Sequence, residues 1–285
     1  MAMPRKVKKD RLLIIIISTI IFTVTILVIL NTILSIFLDR DQKRTLIVDH
    51  TYEKKDDLLD LPLSILDPEH LSGDIFKSYE DDDCTSSLGI DVSSHQSAID
   101  WQVVKDQGID FVYIRCGYRG YQTGLLNVDD MFYEHYNGAK EAGLAVGVYF
   151  FSHAIDINEA IDEAYFTYEL IRDLDIDLEV AYDLEDISYD ESRLDPVSSE
   201  VRTDCAMAFA SKIEELGYKP MIYTNLYWTE THYDLEQIMN YPLWFAQYTD
   251  EPDFPYYYEL WQYTDAAEIE GIDTLTDLNL RLERK

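Results

Sequence analysis

Val180-Ala181-Tyr182-Asp183-Leu184-Glu185 is an apolar, strand-like run that ends on two acids spaced two residues apart. Successive side chains of a strand alternate faces, so Asp183 and Glu185 project to one side, roughly 6 to 7 Å apart along the backbone. In chains that alternate strands and helices, charged groups at the C-terminal ends of strands line the working face, and glycosidic bond cleavage requires a pair of carboxylates. With 55 acidic residues in 285, a D-x-E triplet also arises by chance. Its surroundings have to decide.

Outward from this run, the pattern is regular from residue 88 onward. Strand-like segments at 88–92, 111–116, 144–151, 179–184, 221–223, 243–247 and 260–263 are mostly separated by helical ones. Asp129 precedes an apolar stripe at Phe132, Tyr136 and Ala139 that Gly143 ends. Asp156 with Glu159 reads as a capping box ahead of Ile157, Ile161, Ala164, Tyr168 and Ile171. Asp195-Pro196 opens a further helix that Gly217 closes. The alternation predicts parallel strands joined by right-handed crossovers. The expected fold class is α/β: a small, irregular (β/α) barrel of about eight strands and five helices over 88–285, preceded by one transmembrane helix. Its working face collects Asp91 from Gly89-Ile90-Asp91-Val92-Ser93-Ser94-His95-Gln96, Asp183 and Glu185 from the opening run, and Asp277 from Thr276-Asp277-Leu278-Asn279. Four carboxylates in one cleft raise the pKa of at least one, which supplies a protonated acid near neutral pH.

The first 87 residues differ. A basic tail, 1–11, precedes 27 uncharged residues, 12–38, rich in Ile, Leu and Val. A bilayer core needs only ~20 helical residues, and no signal-peptide cleavage pattern follows. The expectation is a signal-anchor helix in the cell membrane, single-pass, with the N-terminus cytoplasmic and the rest extracytoplasmic. Residues 39–87, acidic and aperiodic apart from one short helix expected near 57–66, read as a stem or linker. The 15 basic and 52 acidic residues beyond residue 44 leave −37, which argues against nucleic acid as a partner. Cys116 and Cys205 read as buried thiols, and Cys84, in the stem, is the one left available for pairing between chains. His95, His135, His153 and His232 show no metal-ligand spacing, so neither metal nor cofactor is expected.

Taken together, Gly89 to Gln96 with Ile99-Asp100-Trp101, the segment 111–117, Ala142-Gly143-Leu144, Gly147-Val148-Tyr149-Phe150-Phe151, the 182–185 strand, Tyr223-Thr224-Asn225, Leu243 to Tyr248, Trp261-Gln262-Tyr263, Gly271-Ile272 and Asp277-Leu278-Asn279 resemble glycoside hydrolase family 25, the Chalaropsis-type lysozymes or N-acetylmuramidases. The resemblance covers 88 to about 281. It implies a peptidoglycan hydrolase that cleaves the β-1,4 bond between N-acetylmuramic acid and N-acetylglucosamine. Glu185 would be the proton donor, and Asp91, Asp183 and Asp277 would stabilise charge at the anomeric carbon. Asp183 is either a nucleophile or base, or it orients the substrate's own acetamido group. One departure is Phe150, where many members have His, expected to alter sugar contacts.

Tyr118, Tyr149, Tyr182, Tyr223, Trp244, Tyr248 and Trp261 fall at or near strand ends, where rings stack on sugar faces; each is equally a packing residue of a barrel. Arg115 is either a partner for a barrel carboxylate or a substrate contact. The expected partners are peptidoglycan glycan strands, and a lipid bilayer through 12–38. Two other readings remain: a non-catalytic wall-binding or scaffold barrel, and a chitinase-like hydrolase, against which stands the absence of earlier aspartates in 178–182.

Overall fold

The computed structural model describes residues 22–28, 30, 31, 34, 58–187 and 190–285. The chain divides into two units between residues 43 and 44. In the first, the described residues are helical; the basic tail 1–11 and most of the expected span 12–38 lie outside the described residues. Among the described residues, no helix is long and apolar enough to cross a membrane.

The second unit opens with a hairpin of β1 (Leu71–Ser72) and β2 (Ser78–Tyr79), then forms a barrel from β3 (Cys84–Val92), β4 (Phe111–Arg119), β6 (Ala145–Ser152), β7 (Val180–Leu184), β8 (Pro220–Asn225), β9 (Leu243–Ala246), β10 (Leu260–Ala267) and β11 (Thr276–Arg284). A short β5 (Leu126–Val128) runs antiparallel on β4. The order β3-β11-β10-β9-β8-β7-β6-β4 closes because β3 also pairs with β4. All neighbours are parallel except β11, which is antiparallel to both β10 and β3. The sequence pattern predicts parallel strands throughout. The eight residues between β10 and β11 are too few for a crossover, so the last strand turns back instead.

The capping signals act largely as read. Asp156 accepts from the backbone N–H of Asn158 and Glu159, while Glu159 Oε2 accepts from Ile155 N at 3.1 Å, starting the helix Ile157–Ile171. The helix Phe132–Glu141 is followed by Gly143 at φ 77°. The next begins later than Asp195-Pro196 suggests: Ser198 caps Ser199–Glu215. With Trp101–Asp106, Leu226–Thr231 and Leu235–Ile238 there are six α-helices among the described residues of this unit, one more than expected.

Apolar packing divides into two layers. Outside the strands, Ile90, Val112, Val148, Tyr182 and Phe209 pack in the layer shared with the helices. Inside, Phe111, Tyr113, Tyr149, Tyr223 and Trp244 fill the barrel. Large interior rings demand small neighbours: a Cβ at Gly89 would lie 2.2 Å from the Phe111 ring, and one at Gly147 would lie 2.5 Å from Tyr113. The N-terminal end is plugged by Arg281, paired at 2.6 Å with Glu179, which also accepts from Tyr113 Oη at 2.7 Å. The opposite end is the mouth.

Within the expected stem 39–87, the described residues 58–87 are packed chain. Leu63 bridges to Tyr256, Tyr79 is buried with its hydroxyl donating to Ile65 O, and Tyr263 Oη donates to Ile75 O at 2.9 Å. Residues 58–66 contain no helix. Each residue of this segment alternates no apolar face of its own; it borrows one from the barrel, a relationship that local patterning does not carry. Cys84, expected to be available to a second chain, is 2% exposed and forms the first residue of β3.

Candidate active site

Strand alternation and the reversed last strand together assemble the acids. On β3, Gly89 and Asp91 face inward while Leu88, Ile90 and Val92 face the helices. On β11, Asp277, Asn279 and Arg281 face inward in turn, running from mouth to plug because the strand is antiparallel. Asp277 lies opposite Asp91 in the β11–β3 register. Asp183 projects inward from β7 beside Phe151, and Glu185 lies one residue beyond the strand end, half-buried. All four acids therefore stand at the same end of the barrel.

Two amides hold Asp91. Gln262 Nε2 and Asn279 Nδ2 each donate to its Oδ2 at 2.8 Å. Gln262 in turn accepts at Oε1 from Tyr223 Oη (3.2 Å) and Tyr248 Oη (3.0 Å), and Asn279 Oδ1 accepts from Trp244 Nε1 at 2.7 Å. Trp244 packs edge-on against Tyr149 and Tyr223, with centroids 5.8 and 5.3 Å away. Interior aromatics, amides and Asp91 are thus one hydrogen-bonded lining.

Arg115 supplies the cation. Its Nε donates to Asp129 at 2.7 Å, and its Nη2 to Ser94 Oγ at 3.1 Å. A register shift in β4 between Arg115 and Gly117 brings Tyr118 to the same face, where its ring lies 5.5 Å from the guanidinium. Asp129 also accepts from Ser94 N, so the loop after β3 is tied to the start of the helix Phe132–Glu141. His135 fastens the same loop by donating to the carbonyls of Ser93 and Gln96. Burial, opposed by Arg115 and assisted by Asp91, Asp183 and Asp129, pushes the Tyr149 phenol well above its ordinary value. Tyr149 therefore remains a hydrogen-bond donor among carboxylates.

Past Glu185, the chain is clamped. The Asp186 carboxylate meets Arg202 and His232, each at 3.0 Å, and these bonds hold its pKa below the ordinary value against the opposing effect of burial. Arg202 lies over the Trp228 ring, 5.1 Å from its centroid.

Of the aromatic candidates, Tyr149, Tyr223, Trp244 and Tyr248 line the interior, and Tyr118 stands half-buried beside Arg115. Tyr182 and Trp261 do not. Tyr182 is fully buried on the helix side, its ring 4.9 Å from Phe209 and its hydroxyl 2.9 Å from Ser152 Oγ. Trp261 faces the outer layer, donating from Nε1 to Gln247 O at 2.9 Å. Each is one residue out of phase with an inward neighbour, Asp183 or Gln262, so the period of the strand excludes both from the cleft. Phe150 also points outward, onto Phe166 and Phe209, so it does not bear on sugar contacts as expected.

The residues that sequence reading passed over are Gln262, Asn279 and Tyr233. Period-2 counting from Asp277 reaches Asn279, and from Leu260 reaches Gln262. Nothing local signals Tyr233, in the loop between two short helices. It is buried, and burial together with Asp183 and Glu185 drives its phenol well above the ordinary value, against Arg202.

A family model for glycosyl hydrolases family 25 matches residues 90–272. The chain belongs to that family. The autolytic lysozyme of Clostridium acetobutylicum is 31% identical over 194 residues, 67% of this chain and 54% of its own length; the chain thus spans about half of that relative. Two solved structures show the same fold. The spore cortex lytic enzyme SleM of Clostridium perfringens aligns with a TM-score of 0.59 at 22% identity, covering 69% of this chain and 67% of that one. The modular autolysin LytC of Streptococcus pneumoniae, solved with a synthetic peptidoglycan ligand, aligns with a TM-score of 0.61 at 22% identity, covering 80% and 53%. The matched residues run through the barrel from β3 to the loop ahead of β11 and take in Asp91, Asp183 and Glu185.

Proposed function

We propose that the chain is a peptidoglycan hydrolase, an N-acetylmuramidase that cleaves the β-1,4 bond between N-acetylmuramic acid and N-acetylglucosamine. The observation that carries this reading is the convergence of Asp91, Asp183, Glu185 and Asp277 at one mouth of a family 25 barrel. Glu185, beyond the strand end and half-buried, is the acid that reaches the glycosidic oxygen. Asp183, 7% exposed, sits deeper and faces the anomeric carbon, where a fixed carboxylate stabilises developing positive charge. Asp91, oriented by two amides, adds to that field or receives the substrate's acetamido group. Tyr149, held protonated, donates to substrate oxygens.

The test is mass analysis of borohydride-reduced digestion products from purified cell wall. Reduced muramic ends are expected from the wild type, and Glu185→Gln should lower kcat by roughly 10²- to 10⁴-fold, the usual worth of a general acid. Reduced glucosamine ends, or full activity in the variant, would defeat the assignment of bond or acid respectively. The apolar run 12–38 fits a membrane tether that confines cleavage to nearby wall. Alkaline extraction that releases the full chain from membranes would remove that part of the reading.

A further inference from the structure

The structure assigns a second recognition site beside the mouth: we propose that the cavity between residues 74–77 and the C-terminal end of β10 binds the peptide stem of the substrate, with Lys77 receiving a stem carboxylate. This rests on the muramidase reading above. The cavity holds about 610 Å³ and is walled on one side by Asp74, Ile75 and Lys77 and on the other by Tyr248, Tyr263 and Glu268. Residues 74–77 precede the matched region 90–272, so this wall is contributed by the segment ahead of it. Backbone bonds place it firmly: Lys77 N donates to Tyr263 Oη at 3.3 Å, and that hydroxyl donates to Ile75 O.

The cavity adjoins the catalytic lining through one residue. Tyr248 lines it and also bonds Gln262, which bonds Asp91. A glycan lying across the four carboxylates carries a peptide on each muramoyl lactyl group, and that peptide must leave the cleft sideways. The flank at β10 is where this cavity opens.

Charge narrows the ligand. The Lys77 side chain is 9% exposed, yet its partner Asp250, at 3.1 Å, is 98% exposed. A buried cation paired with a fully solvated carboxylate gains little from that pair, and an incoming carboxylate can replace it without leaving the ammonium uncompensated. Asp74, Asp250 and Glu268 also line the cavity, and they would repel a bare anion. A peptide that presents both carboxylate and amino groups satisfies Lys77 and the acids together. A neutral sugar has no use for either.

The experiment compares glycan strands that retain their stems with the same strands stripped by an amidase, which leaves only the lactyl carboxylate. For the full-length chain, kcat and KM are measured on both. Lys77→Met is expected to lower the ratio of kcat/KM on stemmed over stripped strands roughly tenfold, through KM, as loss of one charge-assisted bond implies. Asp250→Asn, at an exposed position that folding does not need, is expected to raise the same ratio about two- to threefold by freeing Lys77. An unchanged ratio in both variants, with the wild type active, overturns the subsite alone. A loss of equal size on both substrates in Lys77→Met also overturns it, since that marks a wall residue. A wild type that cleaves neither substrate overturns the muramidase reading itself.

Discussion

Asp277 on β11 lies directly opposite Asp91 on β3, two like charges facing each other across an antiparallel pair. Such a pairing is destabilising by itself. Two amide donors to Asp91 outweigh it, because hydrogen bonds to a charged group contribute about 1.5–3 kcal/mol each. The cleft can therefore hold crowded acids without unfolding the barrel.

Removing one donor should expose this balance. Asn279→Ala is expected to cost about 2–3 kcal/mol of stability and to lower kcat more than tenfold, since Asp91 and the Trp244 indole both lose a partner. Denaturant unfolding and product release from cell wall measure the two effects. A variant as stable and as active as the wild type would show that Asn279 holds nothing.

Tyr233 offers the opposite sign. Among the described residues its buried hydroxyl has no hydrogen-bond partner. Tyr233→Phe is expected to stabilise the chain by about 1 kcal/mol by deleting an unsatisfied polar group. Because Asp183 and Glu185 lie within its electrostatic reach, the pH–rate profile should also shift. Thermal unfolding together with rates across pH 4 to 8 tests both, at about half-unit steps.

Acid should destabilise the domain through His153. The ring is fully buried, neither nitrogen has a hydrogen-bond partner among the described residues, and burial pulls its pKa down from 6.5 to about 3. The unfolded chain then binds a proton that the folded one refuses. This contribution is intact above pH 6.5 and is lost as pH falls toward 3, at up to about 1.4 kcal/mol per unit. In His153→Phe the slope of stability against pH over that window should be shallower. An unchanged slope would mean that other groups set it.

The outward pair gives a control on the cleft. Tyr182→Phe and Trp261→Phe are expected to lower stability by about 1–2 kcal/mol each while leaving KM for cell wall unchanged. Tyr248→Phe, which removes a bond to Gln262, should change kcat instead. A raised KM in Tyr182→Phe would place its ring back in the cleft.

Much of this was legible in the residues. The strands at 88–92, 111–116 and 179–184, the Asp156 cap, and the glycines at 143 and 217 are local signals, and the structure contains each where it was expected. So were the four acids at strand ends, because alternation along a strand is a property of the chain itself. Periodicity could also have removed Tyr182 and Trp261, each a single residue from an inward neighbour.

Which strand lies beside which, and in which direction, was not legible locally. Asp277 meets Asp91 only because the connection after β10 is too short for a crossover and β11 turns back into the ring. Gln262 and Asn279 join the site through partners between 14 and 188 residues away in the chain, Tyr233 comes within electrostatic reach of Asp183 and Glu185 from a separate loop, and the segment 58–80 becomes a wall because the barrel supplies its apolar face. The alternation, the acids and the family are written in local residue patterns. The company those acids keep is set by closure of the barrel, since contacts between distant residues follow from that closure and leave no periodic trace in the chain.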